Sequence, residues 1–488
     1  MPAARFAHAA STRRDAVVAA GHAATVDAAC EVLRAGGNAH DAAVAGGFAA
    51  AVAEPGLTSL AGGGFATARN AAGEVWVDDF FVAVPGLGAE RGHDPSALVA
   101  VPVHFAGAVQ DFHVGPESVA VPGTLPGLLH IHAAHGRLPL EAVVAPAVRL
   151  ANDGVRLDAW QAHVLALLEP IFARTATGRE LFFGSGRLIE AGEEMRNPAL
   201  GQFIADIGSG SRTGFRAEEL GGTVTRADID AFEVIRREPL LCRFREAALA
   251  INPAPSFGGR LVAHGLEQLA DAPALVDESD PAAAVALCGA LESMPGYRAT
   301  LGEGSSRGTT HLSVVDHEGN MVALTTSNGS CSGEFADGLG VQLNNMMGES
   351  DLHPGGFGSS TPGTRIGSMM APGILEIPNH GRAATTRVVL GSGGSERIRS
   401  TITQLVARLA SGRAPDAAVN APRAHWDGEC MQMEPGWGTE AVEAIQETWE
   451  TNMWAERNLY FGGAHLVSDD GTVAPDPRRG GAAEVVAP

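Results

Sequence analysis

The sequence predicts one layered body built from both helices and strands. Helix-like and strand-like segments alternate along all 488 residues, and no internal repeat or long linker separates them. The length exceeds that of a usual single domain, but one large α/β body with added elements accommodates it. A hydrophobic fraction of 45% is sufficient for a packed core.

The N-terminal part predicts two helices and then two strands. Apolar residues at helical spacing define a helix over residues 24–34, which stops at a Gly-Gly pair. Asn38 is a favourable N-cap for a second helix, which ends before Pro55. The stretch "GGGFATARNAAGEVWVDDFF" then predicts two strands joined by the turn "NAAGE".

The middle of the chain predicts mainly helices. Residues 115–154 contain a turn and two helices, and residues 155–235 are mostly helical with polar loops. Residues 237–251 predict a strand, and residues 280–294 predict a helix. The polar, Gly-rich segment 295–308 predicts a loop.

The last third predicts strands 311–316 and 321–327, joined by the turn "HEGN". Farther along, "TTRVVLGSGGSERIRSTITQLVARLASG" predicts a strand, a glycine loop and a helix. This junction suits a polar site, because a glycine loop before a helix points backbone N–H groups at negative charge.

Composition excludes several functional classes. A net charge of −22 argues against a nucleic-acid or anionic-membrane partner. No run of 18 apolar residues and no signal-peptide pattern is visible, so a soluble, cytoplasmic protein is expected. A small-molecule substrate is a separate expectation, because the charge says little about the substrate. The five scattered cysteines show no C-x-x-C spacing.

Seventeen histidines raise the question of a metal site. None belongs to an H-E-x-x-H pattern, and His130, His132 and His135 fall together in a predicted helix where only two share a face. We therefore expect no metal and no other external cofactor.

The pair Gly308-Thr309 precedes the first of these C-terminal strands. One interpretation is that Thr309 is an ordinary strand residue, because Thr favours strands. The other is that the chain cuts itself before Thr309. The new α-amine, with a pKa of about 7.7–8, would then serve as the base that a threonine hydroxyl needs. Gly308 has no side chain to block the approach of the hydroxyl to its carbonyl.

The sequence resembles the γ-glutamyltransferase (γ-glutamyltranspeptidase) family of N-terminal-nucleophile hydrolases. The resemblance covers nearly the whole chain and includes the segments "LRAGGNAHDAAVAGGFAAAVAEPGLTSLAGGGF", "TTHLSVVDHEGNMVALTTS", "LNNMMGES", "RIGSMMAPGIL" and "LGSGGSERI". It implies a four-layer αββα sandwich. It also implies cleavage into a large subunit, 1–308, and a small catalytic subunit, 309–488, which remain one interlocked body.

The resemblance also implies catalytic roles. Thr309 matches the nucleophile and new N-terminus, and Ser327 falls where the family has a threonine that hydrogen-bonds the nucleophile. Gly393 and Gly394 match the glycine pair whose N–H groups form the oxyanion hole.

For the substrate, Glu349 falls near the acid that binds the α-ammonium group, a position that is commonly Asp. Ser368 matches one serine of a pair that holds the α-carboxylate, and the other position is Gly367. For Glu349 and Ser368, a solvated loop position is the alternative interpretation.

The main departure from the family is Phe81. Ordinary members have an arginine there, which clamps the α-carboxylate through two hydrogen bonds. A phenyl ring cannot do this, and it suggests a more apolar or cyclic substrate unless Phe81 only packs in the core. Arg365 and Arg397 are possible substitute cations.

The leading functional hypothesis is hydrolysis or transfer at γ-glutamyl-type amide bonds, as in glutathione metabolism, with an altered carboxylate pocket. A second hypothesis is C–C bond hydrolysis in antibiotic biosynthesis, as in members of this family that act on alkylproline units of lincosamide-like compounds. A cephalosporin-acylase-like amidase is a third. The non-enzymatic alternative is an unprocessed relic with a binding or scaffold role.

Overall fold

The computed structural model describes residues 14–89, 93–105, 108–301, 309–349, 352–353, 355–378 and 385–488. Its α-helices are α1 (Ala23–Arg34), α2 (Ala39–Ala53), α3 (Thr124–His135), α4 (Leu140–Asp153), α5 (Ala159–Phe172), α6 (Ala176–Phe182), α7 (Pro198–Gly208), α8 (Ala217–Leu220), α9 (Arg226–Ala231), α10 (Gly258–Gln268), α11 (Pro281–Leu301), α12 (Arg397–Ala410), α13 (Pro415–Asn420) and α14 (Thr439–Gln446). None of these helices combines the length and apolar character needed to cross a membrane.

The strands of the described residues are β1 (Ala16–Ala20), β2 (Gly63–Arg69), β3 (Val75–Phe80), β4 (Val99–Phe105), β5 (Ala108–Val114), β6 (Val155–Arg156), β7 (Glu194–Met195), β8 (Ile235–Arg237), β9 (Leu240–Phe244), β10 (Ala247–Ile251), β11 (Thr310–Val315), β12 (Met321–Ser327), β13 (Gly373–Pro378), β14 (Thr385–Leu390), β15 (Ser392–Gly393), β16 (Ala424–Trp426), β17 (Met431–Met433), β18 (Thr451–Met453), β19 (Gly463–Ala464), β20 (Leu466–Ser468), β21 (Val473–Ala474) and β22 (Ala482–Val486). The first large sheet has the order β22-β1-β11-β12-β2-β3-β8, and the second has the order β21-β20-β14-β13-β10-β9.

Alternating side chains place these two sheets between two helical layers. In the first sheet Val17 packs against Val389 and Val467 of the second sheet, whereas its neighbour Val18 packs among α1 and α2. In the second sheet Leu375 turns away from the first sheet, toward α10, α11 and α12. Successive strand residues face opposite sides of the sheet. One apolar strand therefore contributes both to the core between the sheets and to the core between a sheet and its helices. This arrangement is the predicted αββα sandwich.

Both predicted subunits contribute to both sheets. Segment 309–488 supplies β11 and β12 to the centre of the first sheet, where β11 pairs with β1 and β12 pairs with β2. In the second sheet β10 pairs with β13 across the same boundary. A cut between Gly308 and Thr309 is therefore expected to leave one interlocked body. Gly308 itself lies outside the described residues.

The first helices follow the sequence prediction closely. α1 ends at Arg34, and Gly36 takes a positive φ of 92° that suits glycine. Asn38 caps α2 by accepting hydrogen bonds from the backbone N–H groups of His40 and Asp41, and the Asp41 carboxylate closes a capping box.

The predicted single strand over residues 237–251 is wrong. The segment forms the hairpin of β9 and β10, with a turn at residues 245–246. Arg245 takes a φ of 54°, a left-handed conformation without glycine that the sequence did not signal.

The predicted loop over residues 295–308 is wrong in its first part, because α11 continues through Pro295 to Leu301. A proline inside a helix removes the hydrogen bond to the carbonyl four residues earlier, here that of Leu291. The Arg399 guanidinium donates to that carbonyl at 3.2 Å and replaces the missing bond. Residues 302–308 lie outside the described part of the chain.

The packing between the sheets generates a stability prediction. A methyl group at Gly391 would overlap the buried His311 ring, so Gly391→Ala should lower the free energy of unfolding by about 1–3 kcal/mol. At Gly289 in α11 the nearest atom is 4.0 Å away, so Gly289→Ala should be neutral or raise stability by about 0.5–1 kcal/mol. Urea denaturation of both variants checks this, and equal destabilisation would contradict it.

Candidate active site

Thr309 and Ser327 face each other at one end of the first sheet. Thr310 pairs with Thr326 in the antiparallel ladder of β11 and β12, so extending the register by one residue sets Thr309 opposite Ser327. Both side chains are fully buried. The structure therefore brings together the predicted nucleophile and the predicted hydroxyl partner on one face of the sheet.

The line of residues paired across the sheet continues from Ser327 toward β3. Ser327 pairs with Gly63, and a methyl group at Gly63 would lie 3.1 Å from the Phe81 Cα atom. Phe81 thus lies three strands from Thr309, directly after the end of β3. Pairing between neighbouring strands brings residues that are far apart in sequence into one line across the sheet.

The Thr309 hydroxyl is one of several buried threonine hydroxyls without a partner among the described residues, together with those of Thr124, Thr223 and Thr403. Its Oγ is buried, and it has no hydrogen-bond partner within the described residues. A buried polar atom without a partner costs free energy, and such an atom often marks a reactive position. The Thr309 carbonyl oxygen accepts a hydrogen bond from Nη1 of Arg479 at 3.3 Å.

The predicted glycine pair lies against this residue. A methyl group at Gly393 would overlap the Thr309 carbonyl oxygen, and one at Gly394 would lie 2.6 Å from the Gly462 Cα atom. Gly394 also takes a φ of 124°, which only glycine adopts without strain. The strand, glycine loop and helix α12 follow in the predicted order, so backbone rather than side chain faces Thr309.

Glu349 is connected to the same end of β12. The Gly329 N–H donates to Oγ of Ser327 at 3.1 Å, and the next residue, Ser330, donates to Glu349 through its N–H at 3.1 Å and its hydroxyl at 2.6 Å. Glu349 is 2% exposed. A buried carboxylate is therefore hydrogen-bonded to Ser330, which lies three residues along the chain from Ser327.

Phe81 lies in an apolar cluster and is fully buried. Its ring stacks on Phe65 with centroids 5.6 Å apart, and Met346 and Met370 complete the surroundings. Arg365 donates to the backbone carbonyls of Phe81 and Glu233, so this guanidinium binds the chain itself.

Ser368 borders that cluster. Its carbonyl accepts hydrogen bonds from the N–H groups of Phe257 and Gly258 at the start of α10, and its Oγ accepts from the Met370 N–H at 3.2 Å. Among the described residues no hydrogen bond joins Ser368 to Thr309. A role for Ser368 in binding substrate stays a prediction.

Sequence reasoning missed Glu54. This fully buried carboxylate lies under the opposite face of β11 and accepts hydrogen bonds from the hydroxyls of Thr310 at 2.5 Å and Thr25 at 2.8 Å. Burial raises the pKa of Glu54 above its usual value. Glu54 directly follows α2 in the sequence "AEPG". An acidic residue at the end of a helix does not by itself predict a contact with β11.

A second unforeseen cluster lies between the sheets, on the same face as Thr309. Nδ1 of His311 lies 2.7 Å from the Thr325 hydroxyl and its Nε2 lies 2.9 Å from that of Ser313, which donates to the His465 carbonyl. Burial lowers the pKa of His311 well below its usual range and that of His465 to about 4. The hydrogen bond from Ser313 to the His465 carbonyl connects β11 to the residue that precedes β20.

The histidines considered as metal ligands are otherwise engaged. Nε2 of His132 lies 2.8 Å from the Leu138 carbonyl oxygen, and the His135 ring packs at a tilted angle against the rings of His40 and Trp76. The described residues contain no group of three or more His, Cys, Asp or Glu side chains arranged to hold a metal ion.

Proteins of similar sequence match most of the chain. The sequence profile described as "Gamma-glutamyltranspeptidase" matches residues 25–302 and 274–486. The chain is 27% identical over 494 residues to "Acylase ACY 1 proenzyme" of Pseudomonas sp. (strain V22), covering 88% of this chain and 86% of that protein. It is 26% identical over 513 residues to "Glutathione hydrolase proenzyme" of Escherichia coli (strain K12), covering 89% and 85%.

A solved structure shows the same fold. The crystal structure of cephalosporin acylase from Bacillus halodurans superimposes with a TM-score of 0.77 at 20% sequence identity, covering 99% of this chain and 98% of that chain. The predicted four-layer architecture is thereby confirmed.

The burial of His465 predicts that the free energy of unfolding falls at acidic pH. Below its usual pKa of 6.5 the unfolded state binds a proton that the folded state does not take up until about pH 4, so stability falls as the pH drops through this window. We expect a loss of about 2 kcal/mol from this group between pH 7.5 and pH 5.

His465→Gln removes the titration and keeps a side-chain acceptor for the Asp476 N–H. Urea denaturation at both pH values should show a smaller pH dependence in this variant than in the wild type. The same dependence in both proteins would contradict the assignment.

Proposed function

The chain belongs to the γ-glutamyltranspeptidase family, and we propose that it is a self-processing hydrolase or acyltransferase with Thr309 as its N-terminal nucleophile. Its substrates are γ-glutamyl-type amides. The observation that carries the proposal is the buried Thr309 hydroxyl, which has no partner among the described residues and lies opposite Ser327 with Gly393 against its own carbonyl.

The first reaction is cleavage of the precursor. Oγ of Thr309 attacks the Gly308 carbonyl carbon, the C–N bond between Gly308 and Thr309 breaks, and the nitrogen takes a proton to become the α-amine. Water then hydrolyses the resulting ester and restores the hydroxyl. The two halves of the chain form a heterodimer, in line with the two relatives that are named as proenzymes.

The second reaction is acyl transfer. The α-amine accepts the Oγ proton while Oγ attacks the substrate carbonyl, and the departing amine takes the proton. The N–H groups of Gly393 and Gly394 donate to the oxyanion of the tetrahedral intermediate. Water or an acceptor amine attacks the acyl-enzyme and releases Thr309. The Ser327 hydroxyl makes no hydrogen bond to Oγ of Thr309 in this structure. In the proposed processed enzyme it orients the nucleophile.

Arg479 favours the neutral form of this amine. Its guanidinium bonds the carbonyl of the same residue that carries the amine, and a nearby positive charge makes protonation of that amine less favourable. A base must be neutral to accept a proton, so the arginine extends activity toward lower pH.

Recognition of the substrate differs from that of an ordinary family member. Glu349 supplies a negative charge for an α-ammonium group, but Phe81 supplies no positive charge for the α-carboxylate. Arg365 binds backbone carbonyls instead. We expect glutamyl compounds to bind weakly at this point, and the similarity to a protein named as an acylase supports an altered pocket.

Replacing the nucleophile tests the proposal. Thr309→Ala should leave a single full-length band on a denaturing gel and should abolish release of nitroaniline from a γ-glutamyl nitroanilide. Thr309→Ser keeps a hydroxyl and should retain both reactions at a reduced rate. Mass analysis of the wild type should find fragments 1–308 and 309–488.

Thr310→Ser is the matched control, because it changes the adjacent threonine yet keeps the hydrogen bond to Glu54. It should process normally with the same new N-terminus. Active wild-type protein with Thr309 still joined to Gly308 would refute the mechanism. Complete processing without activity on the γ-glutamyl substrate would refute the substrate class.

The pH dependence of kcat/KM tests the role of Arg479. Arg479→Gln removes the charge, so the acidic limb of the profile should move up by roughly one pH unit. Arg479→Lys keeps the charge and should leave the limb in place even if the rate falls. A limb that is unchanged in the glutamine variant would show that the arginine only supports the structure.

A further inference from the structure

A cleft with a volume of about 90 Å³ opens beside the nucleophile. One wall is apolar and comes from α5, and the other is polar and comes from loops of the C-terminal part. The lining includes Trp160, Val164, Leu168, Ser330, Arg397 and Arg479. Arg479 connects the cleft to the site, because it also donates to the Thr309 carbonyl.

Arg479 brings a buried charge without a counter-ion. It is 8% exposed, it donates to the carbonyls of Thr309 and Leu459, and its Nε has no partner among the described residues. No carboxylate in the described part of the chain lies within ion-pair distance of its guanidinium. Burial and the nearby Arg397 lower the pKa of Arg479 to about 10.

The neighbouring Arg478, in contrast, is paired with carboxylates. Arg478 donates to the Glu434 carboxylate at 2.7 and 2.5 Å and also lies 3.3 Å from Asp476. The fold therefore neutralises one arginine of the pair and leaves the charge of the next one at the cleft. Burying an unpaired charge costs free energy of folding, so we expect an anion that is not part of the chain to bind Arg479.

Arg397 adds a second positive charge to the same wall. Its Nε donates to the Tyr460 carbonyl at 2.9 Å, and its guanidinium carbon lies 4.7 Å from the centre of the Tyr460 ring. These contacts hold the side chain in place at the lining. A guanidinium group binds a carboxylate through two parallel hydrogen bonds, and this cleft is lined by two guanidinium groups.

The opposite wall limits what can carry that carboxylate. Leu57, Leu167 and Leu168 together with the Trp160 ring present apolar surface, which favours an aliphatic or aromatic body. A small free anion would leave this surface exposed to water.

We propose that this cleft binds the part of the substrate that carries a carboxylate on an apolar body, with the carboxylate at Arg397 and Arg479. The inference rests on the proposed function, because it places the cleft next to an acyl-transferring threonine. It assigns the positive charge that position 81 lacks to a cleft whose lining does not include Phe81.

Direct binding tests this without depending on catalysis. Isothermal titration calorimetry of the processed protein compares 4-phenylbutanoate with its neutral analogue 4-phenylbutanol. Neither compound contains an amide bond. The acid should bind roughly tenfold more tightly or better, as expected for a charge-assisted contact. Arg397→Gln should reduce the preference to about twofold, and Arg397→Lys should keep part of it.

Two further variants locate the site. Trp160→Ala should weaken the acid and the alcohol alike, because it removes apolar wall only. Arg149→Gln alters an exposed arginine that pairs with Glu31 on α1, and it should change neither affinity. Equal binding of the acid and the alcohol by the wild type, or an unchanged preference in Arg397→Gln, overturns the proposal.

These outcomes are separate from those of the proposed function. A protein that binds the acid selectively but fails to process at Thr309 supports the cleft assignment and contradicts the mechanism. Normal processing and amide hydrolysis without selectivity for the acid contradict the cleft assignment alone.

Discussion

The pairing of β11 on both of its sides is the constraint on which the rest of the site depends. This strand begins directly after Thr309, and it is hydrogen-bonded to β1 on one side and to β12 on the other. A terminus at the start of a doubly paired strand keeps its position when the preceding segment is removed, because the ladders on both sides remain intact. This pairing is compatible with the proposed cleavage, in which Thr309 is first part of the continuous chain and later a free N-terminus.

The two faces of β11 make different contacts. On the helical side the Thr310 hydroxyl binds Glu54, which fixes the strand against α2. On the inter-sheet side His311 and Ser313 bind across to β12 and to the His465 carbonyl. Thr309, the proposed nucleophile, is thus positioned by its neighbours in sequence through contacts on both faces, and its own hydroxyl has no partner among the described residues.

Sequence patterns predicted the parts of the fold that depend on local signals. Strand 321–327 and the Asn38 cap are examples, since apolar alternation and a capping residue act within a few positions. The continuation of α11 past Pro295 could not be predicted in this way, because Arg399 supplies the replacing hydrogen bond from 108 residues away. The same holds for the site. Thr309 and Ser327 face each other across one hairpin, whereas Arg479 reaches Thr309 from 170 residues away and belongs to no local motif.

Charge is distributed unevenly around the nucleophile, and this has a chemical consequence. Arg479 carries a positive charge within hydrogen-bonding distance of the Thr309 carbonyl, and burial raises the pKa of the Glu54 carboxyl on the opposite face of β11. In the proposed reaction the charge of Arg479 favours a neutral amine over an ammonium group, and it favours the negative oxygen of the tetrahedral intermediate over the neutral carbonyl. Both preferences act in the direction of the proposed acyl transfer. In the proposed cleft the same charge attracts a carboxylate, so one buried arginine would link the basicity of the proposed nucleophile to the charge of the substrate.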